Sequence, residues 1–385
     1  MTRRNAPSLH SLRLRIRGTA LAILTALAAL CGPARATDAA PPAGFPDDAA
    51  VKALLTARIA EGRAKGLAVV LIPPKGEPVF INAGDSGNTA RPQIEPDTIF
   101  EIGSITKTFT GTVLAQMDVE GLVKPGDRMR DHAPAGVTFP PGTAGDATLL
   151  QLATHTSGLP RLPLGWTFLK SMLSDPENPY ANYRRADMWA WLADRKLDAG
   201  QTHAAAYSNL GMGVLGELLA NRAAMSYGEL IHRRITRPLA MTDTAIETPG
   251  AAQNRLAIGH TKKLKPTAYW SLPAMAGAGA LRSTPRDMAK YLQAQQHGSL
   301  IGARLAQEPR ARMGNDSAVG YGWLILTAKG DEIVWHNGGT GGFRSFAGFS
   351  RKTGKAVIVL SNSEHDVDDL ALHLLNPAFK LKAKS

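Results

Sequence analysis

Ser104 and Lys107 stand three residues apart in the stretch Phe100-Glu101-Ile102-Gly103-Ser104-Ile105-Thr106-Lys107-Thr108-Phe109. On a helix, side chains at i and i+3 share a face, with Cβ atoms about 5–6 Å apart. The Lys107 amine can then reach the Ser104 hydroxyl, and a nucleophile meets a base. A free lysine is protonated at neutral pH, because its pKa is about 10.4. It works as a base only where burial or a second cation lowers that value. The pattern puts the pair where a loop or strand gives way to a helix over residues 106–120. N–H groups at such a start favour negative charge developing on a substrate. Two residues alone match by chance about once in a chain of this length, so the pair takes its meaning from what lies around it.

Two further groups carry chemistry. Tyr207-Ser208-Asn209 precedes a helix over residues 210–224. Ser208 or Asn209 suits the helix cap, with Tyr207 packed beside it. The alternative gives Tyr207 a proton-transfer role and Asn209 a hydrogen bond to a substrate amide. His336-Asn337-Gly338-Gly339-Thr340-Gly341-Gly342 follows an expected strand. Four glycines in five positions exceed the needs of a hairpin, and glycine lets backbone approach a ligand closely. A strand edge beside Ser104 can supply one N–H of an oxyanion hole, with the Ser104 N–H as the other.

The elements that must hold these residues follow from periodicity. Residues 47–65 read as an amphipathic helix. Residues 67–72 and 78–82 form a hairpin about Pro73-Pro74-Lys75-Gly76. Helical spacing recurs at 106–120, 149–153, 185–195, 210–224 and 227–236. Thr284-Pro285-Arg286-Asp287 opens another helix with a cap, a proline and an acid in the first turn. Residues 321–327, 332–336, 343–350 and 356–361 are short strands, and 367–375 closes as a helix. Strands joined by short turns pair antiparallel. The expected fold is of α+β type: an antiparallel sheet built from both chain ends, flanked by terminal helices, with a mainly helical region inserted. Residues 37–105 and 317–385 then make the sheet portion and 106–316 the helical one.

Residues 1–36 read as a signal peptide. Arg3, Arg4, Arg13, Arg15 and Arg17 form a basic start, residues 20–30 a short apolar run, and Ala34-Arg35-Ala36 a cleavage site. The expected location is periplasmic or secreted, without stable membrane insertion after cleavage. Cys31 is the only cysteine of the 385 residues, which leaves a mature chain without disulfides. The net charge of +12 falls to +6 once the six arginines of residues 1–36 are removed. No dense Lys/Arg block with interleaved aromatics points to nucleic acid. No metal or cofactor is expected, since no His-Glu-x-x-His spacing occurs.

In this order, Ser104-x-x-Lys107, Tyr207-x-Asn209 and His336-x-Gly338 resemble the penicillin-recognising serine hydrolases. The nearest groups are class C β-lactamases, D,D-peptidases, D-aminopeptidases and esterases. Likeness extends over most of the mature chain, through residues 152–160 (Leu-Ala-Thr-His-Thr-Ser-Gly-Leu-Pro), 238–242 (Pro-Leu-Ala-Met-Thr) and 277–283 (Gly-Ala-Gly-Ala-Leu-Arg-Ser). The resemblance implies a β-lactamase/transpeptidase-like fold and a covalent acyl-enzyme on Ser104. Lys107 and Tyr207 would be coupled bases, and Asn209, His336, Gly338 and Gly339 would bind substrate. The substrate would be a β-lactam or a D-amino-acid cell-wall peptide. An esterase of the same fold and an inactive muropeptide-binding protein are the alternatives. Two motifs depart from the β-lactamase pattern. Tyr-x-Asn replaces Ser-Asp-Asn, and His-Asn-Gly replaces Lys-Thr-Gly, which exchanges a fixed cation for a group that is mostly neutral at pH 7. Arg344 on the next strand reads as an exposed strand arginine, with replacement of that charge as the alternative. His155 reads as structural, with no partner assignable from sequence.

Overall fold

Leu67, Val69 and Leu71 alternate with Ala68, Val70 and Ile72, and all six are apolar. A strand sends successive side chains to opposite faces, so this one needs cover on both. The computed structural model, which describes residues 44–197 and 202–383, provides it. The strand, β1 (Gly66–Ile72), is buried along its whole length. Ala68, Val70 and Ile72 join the larger apolar cluster, which is shared with the helical portion. Leu67, Val69 and Leu71 join a smaller cluster with Val51, Leu55, Leu370 and Leu374 from the first and last helices, Asp48–Ala60 and Asp368–Leu375.

The other strands are β2 (Val79–Gly84), β3 (Phe100–Glu101), β4 (Arg282–Ser283), β5 (Ala311–Arg312), β6 (Ser317–Val319), β7 (Leu324–Ala328), β8 (Asp331–Gly339), β9 (Arg344–Ser350) and β10 (Ala356–Ser361). Seven of them join β1 in one sheet in the order β2-β1-β10-β9-β8-β7-β6-β5, antiparallel throughout. The remaining pair, β3 and β4, forms a separate two-stranded ladder. The expected sheet from both chain ends is therefore present, with β1 from the start of the chain seated beside β10 from its end.

The helices at 106–119, 149–153, 185–193 and 209–222 match the periodic segments closely. Thr284 caps Pro285–His297 by accepting the Asp287 N–H, with proline in the first turn. Some features differ from expectation. Residues 227–236 divide into Tyr227–Ile231 and a π-helical turn, His232–Thr236. The strand expected from 321 starts at Leu324, because Gly322 turns the chain with a φ of 71°. Helix Trp166–Ser174 and strands β5 and β6 gave no separate signal. No helix among the described residues is long and apolar enough to cross a membrane. The signal-peptide segment lies outside the described residues.

Candidate active site

Ser104 does not lie on the long helix itself. It occupies a single 3-10 turn, Gly103–Ile105, that leads into Thr106–Val119. The turn is pinned on two sides. The Ile102 N–H donates to the Leu281 carbonyl at 3.1 Å. The Ser345 hydroxyl donates to the Ile102 carbonyl at 2.8 Å. Gly103 takes a φ of 50°, and a Cβ there would stand 2.7 Å from the Gly339 nitrogen. Two glycines thus let the Ser104 turn and the end of β8 meet backbone to backbone.

Lys107 is completely buried, one helical turn on. Its Nζ donates to Ser104 Oγ at 3.0 Å and to the Ala278 carbonyl at 2.6 Å. Burial, then the Arg161 cation, holds its pKa well below the usual lysine value. The amine is therefore disposed to be neutral, as a base must be.

Tyr207 precedes Ser208, the cap of the Asn209–Arg222 helix. Ser208 Oγ accepts the Gly211 N–H at 2.9 Å and donates to the Pro160 carbonyl at 2.7 Å. The capping role belongs to Ser208, and Tyr207 is left facing the cleft. Burial pushes the Tyr207 phenol up to about 12, against a hydrogen bond with Ser104. The Lys107 Nζ lies 4.9 Å and the Arg161 guanidinium 5.1 Å from the centre of its ring. His155, whose partner could not be assigned from sequence, has one in the Ser208 backbone. Its Nδ1 accepts the Ser208 N–H at 3.2 Å, and its ring lies 4.8 Å from Tyr207. This bond fixes the Nε2–H tautomer. Burial lowers the His155 pKa to about 3, so the ring stays neutral.

Asn209 borders the cleft, and its Oδ1 is a buried acceptor without a protein hydrogen bond among the described residues.

His336-Asn337-Gly338-Gly339 was expected to follow a strand. These residues are instead the last four of β8. A side chain at Gly338 would collide with the Ile102 carbonyl and the Ser345 hydroxyl, so glycine is needed where β8 meets the Ser104 turn. Alternate residues along β8 are buried, and His336 falls on the buried side. Its Nδ1 lies 2.5 Å from the Asn337 carbonyl, which assigns the proton to Nδ1. Burial, then the Lys107 charge, lowers the His336 pKa to about 3. The ring is therefore disposed to be neutral, as a histidine in place of a fixed cation would be, and it stands 6.1 Å from that of Tyr207.

A cleft of about 990 Å³ opens over these groups, with Ser104, Tyr207, Asn209 and Gly339 on its walls. Positive charge comes to it from Arg161 and Arg344. Arg344 lies against Gly339, where a Cβ would stand 2.8 Å from its Nη1, and that Nη1 donates to the Thr340 and Phe343 carbonyls. Arg161, Tyr180 and Trp270 also face the cleft and were not found in the sequence. Trp270 is held by its backbone N–H, which donates to Glu101 Oε1 at 2.9 Å, and by its indole N–H, which donates to the Glu177 carbonyl at 2.9 Å. Only the position of Arg161 just after residues 152–160 offered a hint.

The residue pattern of the Beta-lactamase family matches residues 51–378, and the chain belongs to that family. It is 32% identical over 322 residues to the D-alanyl-D-alanine-carboxypeptidase/endopeptidase AmpH of Escherichia coli K12, covering 78% of this chain and 80% of that one. A β-lactamase of the same organism is 27% identical over 353 residues, with 81% and 87% covered. Among solved structures, the β-lactamase/D-alanine carboxypeptidase of Yersinia pestis, complexed with citrate, superposes with a TM-score of 0.70 at 26% identity. That match covers 87% of this chain and 99% of the other. The chain is a serine hydrolase of the β-lactamase and carboxypeptidase type.

Proposed function

We propose that this protein is an exported serine hydrolase that cleaves an amide bond of a D-amino-acid cell-wall peptide or a β-lactam through an acyl-enzyme on Ser104. The carrying observation is the fully buried Lys107, whose Nζ lies 3.0 Å from Ser104 Oγ on the wall of the open cleft. Neutral Lys107 takes the Ser104 proton as Oγ attacks the substrate carbonyl. N–H groups of Ser104 and Gly339 receive the developing oxyanion. The Tyr207 phenol, which keeps its proton, delivers it to the leaving nitrogen, and the proton held by Lys107 restores the phenol. Water then attacks the acyl carbonyl and frees Ser104. Asn209 Oδ1 accepts the N–H of the substrate amide, and Arg161 and Arg344 supply the charge that His336 lacks. His155 steadies Tyr207 through the Ser208 N–H.

The likeness to a named D-alanyl-D-alanine-carboxypeptidase/endopeptidase favours a peptide substrate. Neutral His336 favours a second reading, an esterase of the same fold, since a neutral ester needs no cation at that position. Export rests on the segment 1–36, whose cleavage would release the chain into the periplasm or medium.

Incubation with nitrocefin, a D-Ala-D-Ala peptide, a D-amino-acid amide and p-nitrophenyl butyrate tests the reading. Release of D-alanine or opening of the β-lactam is expected. Turnover of the butyrate ester alone would transfer the assignment to the esterase.

A further inference from the structure

The wall of the cleft next to Gly338 is made by Asn337, whose amide is engaged from outside the catalytic group. Its Nδ2 donates to Asp368 Oδ2 at 2.6 Å. Asp368 is the first residue of the last helix, and both residues face the cleft that contains Ser104. Its acidic neighbours have cations of their own. Asp366 pairs with Lys382 at 2.7 Å, and Asp369 with Arg58 at 2.5 Å. Asp368 has no ion pair among the described residues.

An ionised carboxylate only accepts hydrogen bonds, so it must face the amide nitrogen of Asn337. A protonated carboxyl can donate, and it would then face the amide oxygen. Half a turn of the amide exchanges the two arrangements without moving the backbone. The amide end that Asp368 does not take is the one left for the substrate.

We propose that Asp368 is a positioning residue that sets which end of the Asn337 amide meets the substrate, so that the cleft wall offers an acceptor when Asp368 is ionised and a donor when it is protonated. This rests on the hydrolase reading above and adds to it a pH-dependent preference for the group at the substrate's end. An acceptor wall disfavours a substrate carboxylate. A donor wall welcomes it.

The surroundings place this change in a useful range. Burial, then the Asp366 charge, raises the Asp368 pKa to about 7, against the Asn337 hydrogen bond and the Lys382 cation. The charged groups around it are Asp366 and Asp369 at its own helix, Lys382 from the C-terminal segment, Arg58 of the first helix and Arg63 after it, both against Asp369, and Glu364, His365 and Lys262 around the cleft. His365 is the histidine among these groups.

The test uses Ser104→Ala protein, which binds without turnover, and a matched pair of ligands: acetyl-D-alanyl-D-alanine and its C-terminal amide. Calorimetric Kd values are measured from pH 5.5 to 8.5. The ratio of the acid's Kd to the amide's should rise with pH by about three- to tenfold, the scale of one hydrogen bond. Adding Asp368→Asn should flatten the ratio, and adding His365→Gln should leave it rising. Asn337→Ala should also flatten it, and Asp368→Asn should change nothing further in that background. Asn337→Ala carries the test by itself should Asp368→Asn fail to fold. A ratio that is flat in the parent protein, or that still rises with Asp368→Asn or Asn337→Ala, would overturn the proposal. So would an effect of Asp368→Asn that survives Asn337→Ala. Ester and peptide turnover by the protein with Ser104 intact reports separately on the hydrolase reading.

Discussion

Lys107 is the base of the proposed reaction, and its burial has two consequences of opposite sign. It depresses the amine's pKa, which makes a base. It also costs stability, since the native state disfavours a proton that the unfolded chain binds up to about pH 10.4. The unfolded state therefore holds more protons than the native one from the depressed pKa up to the free value. Stability from this group rises with pH through that window. Lys107→Met should lower kcat by at least about 10²-fold, the usual scale for a lost acid–base group. It should also raise the melting temperature at pH 6–7, by a margin that shrinks as the pH approaches 10. Thermal melts of both proteins across that range check the sign, and a margin that grows with pH would refute the account of Lys107. Ser104, Lys107, Tyr207 and Asn209 could be singled out from the sequence because each sits in a short motif with its own spacing, and the structure brings them to one cleft or its edge. Arg161 and the His155–Ser208 bond were not, because they arise where the loop after Leu149–Ala153 folds back on the Asn209 helix. No local pattern encodes that meeting.

Among the elements, the decisive contact is the crossing of the Ser104 turn and the end of β8. Gly338 is a glycine for want of space, not for turning: its neighbours are the Ile102 carbonyl and the Ser345 hydroxyl that donates to it. Gly338→Ala should push the Ile102–Ser104 turn away from β8. A cost of about 1–3 kcal/mol is typical of such overpacking, with a fall in kcat larger than any rise in KM because the nucleophile and the Gly339 N–H separate. Gly142→Ala, at a turn where a Cβ would meet nothing within 4 Å, is a control for a simple glycine effect on kcat. Equal kcat values for the two variants would contradict this reading of Gly338. Sequence spacing placed the long helices and the main strands within a few residues. It ended β8 at His336, since a run of glycines reads as a turn when the partner that demands them lies far away in the chain. The two-residue strands β3, β4 and β5 are too short to show a period at all.

At the scale of the whole molecule, strands from the two ends of the chain lie side by side within the sheet. β1 and β10 pair along six residues, and the Arg58–Asp369 ion pair ties the first helix to the last with both side chains almost fully buried. The expectation of one sheet from both chain ends followed from strand signals at both ends and helical spacing between them. The order of strands was beyond the sequence, because pairing of residues three hundred positions apart leaves no local trace. This arrangement puts Asn337, on a central strand, against Asp368, on the last helix, and so brings the end of the chain to the edge of the catalytic cleft.

The central claim is that Ser104 is the nucleophile. Treatment of the protein with a fluorescent penicillin and, separately, a fluorophosphonate, followed by peptide mass spectrometry, tests it most directly. One label per chain on the peptide containing Ser104, absent from a folded Ser104→Ala variant, is the predicted result. Label on another residue, or none from either probe, would contradict it.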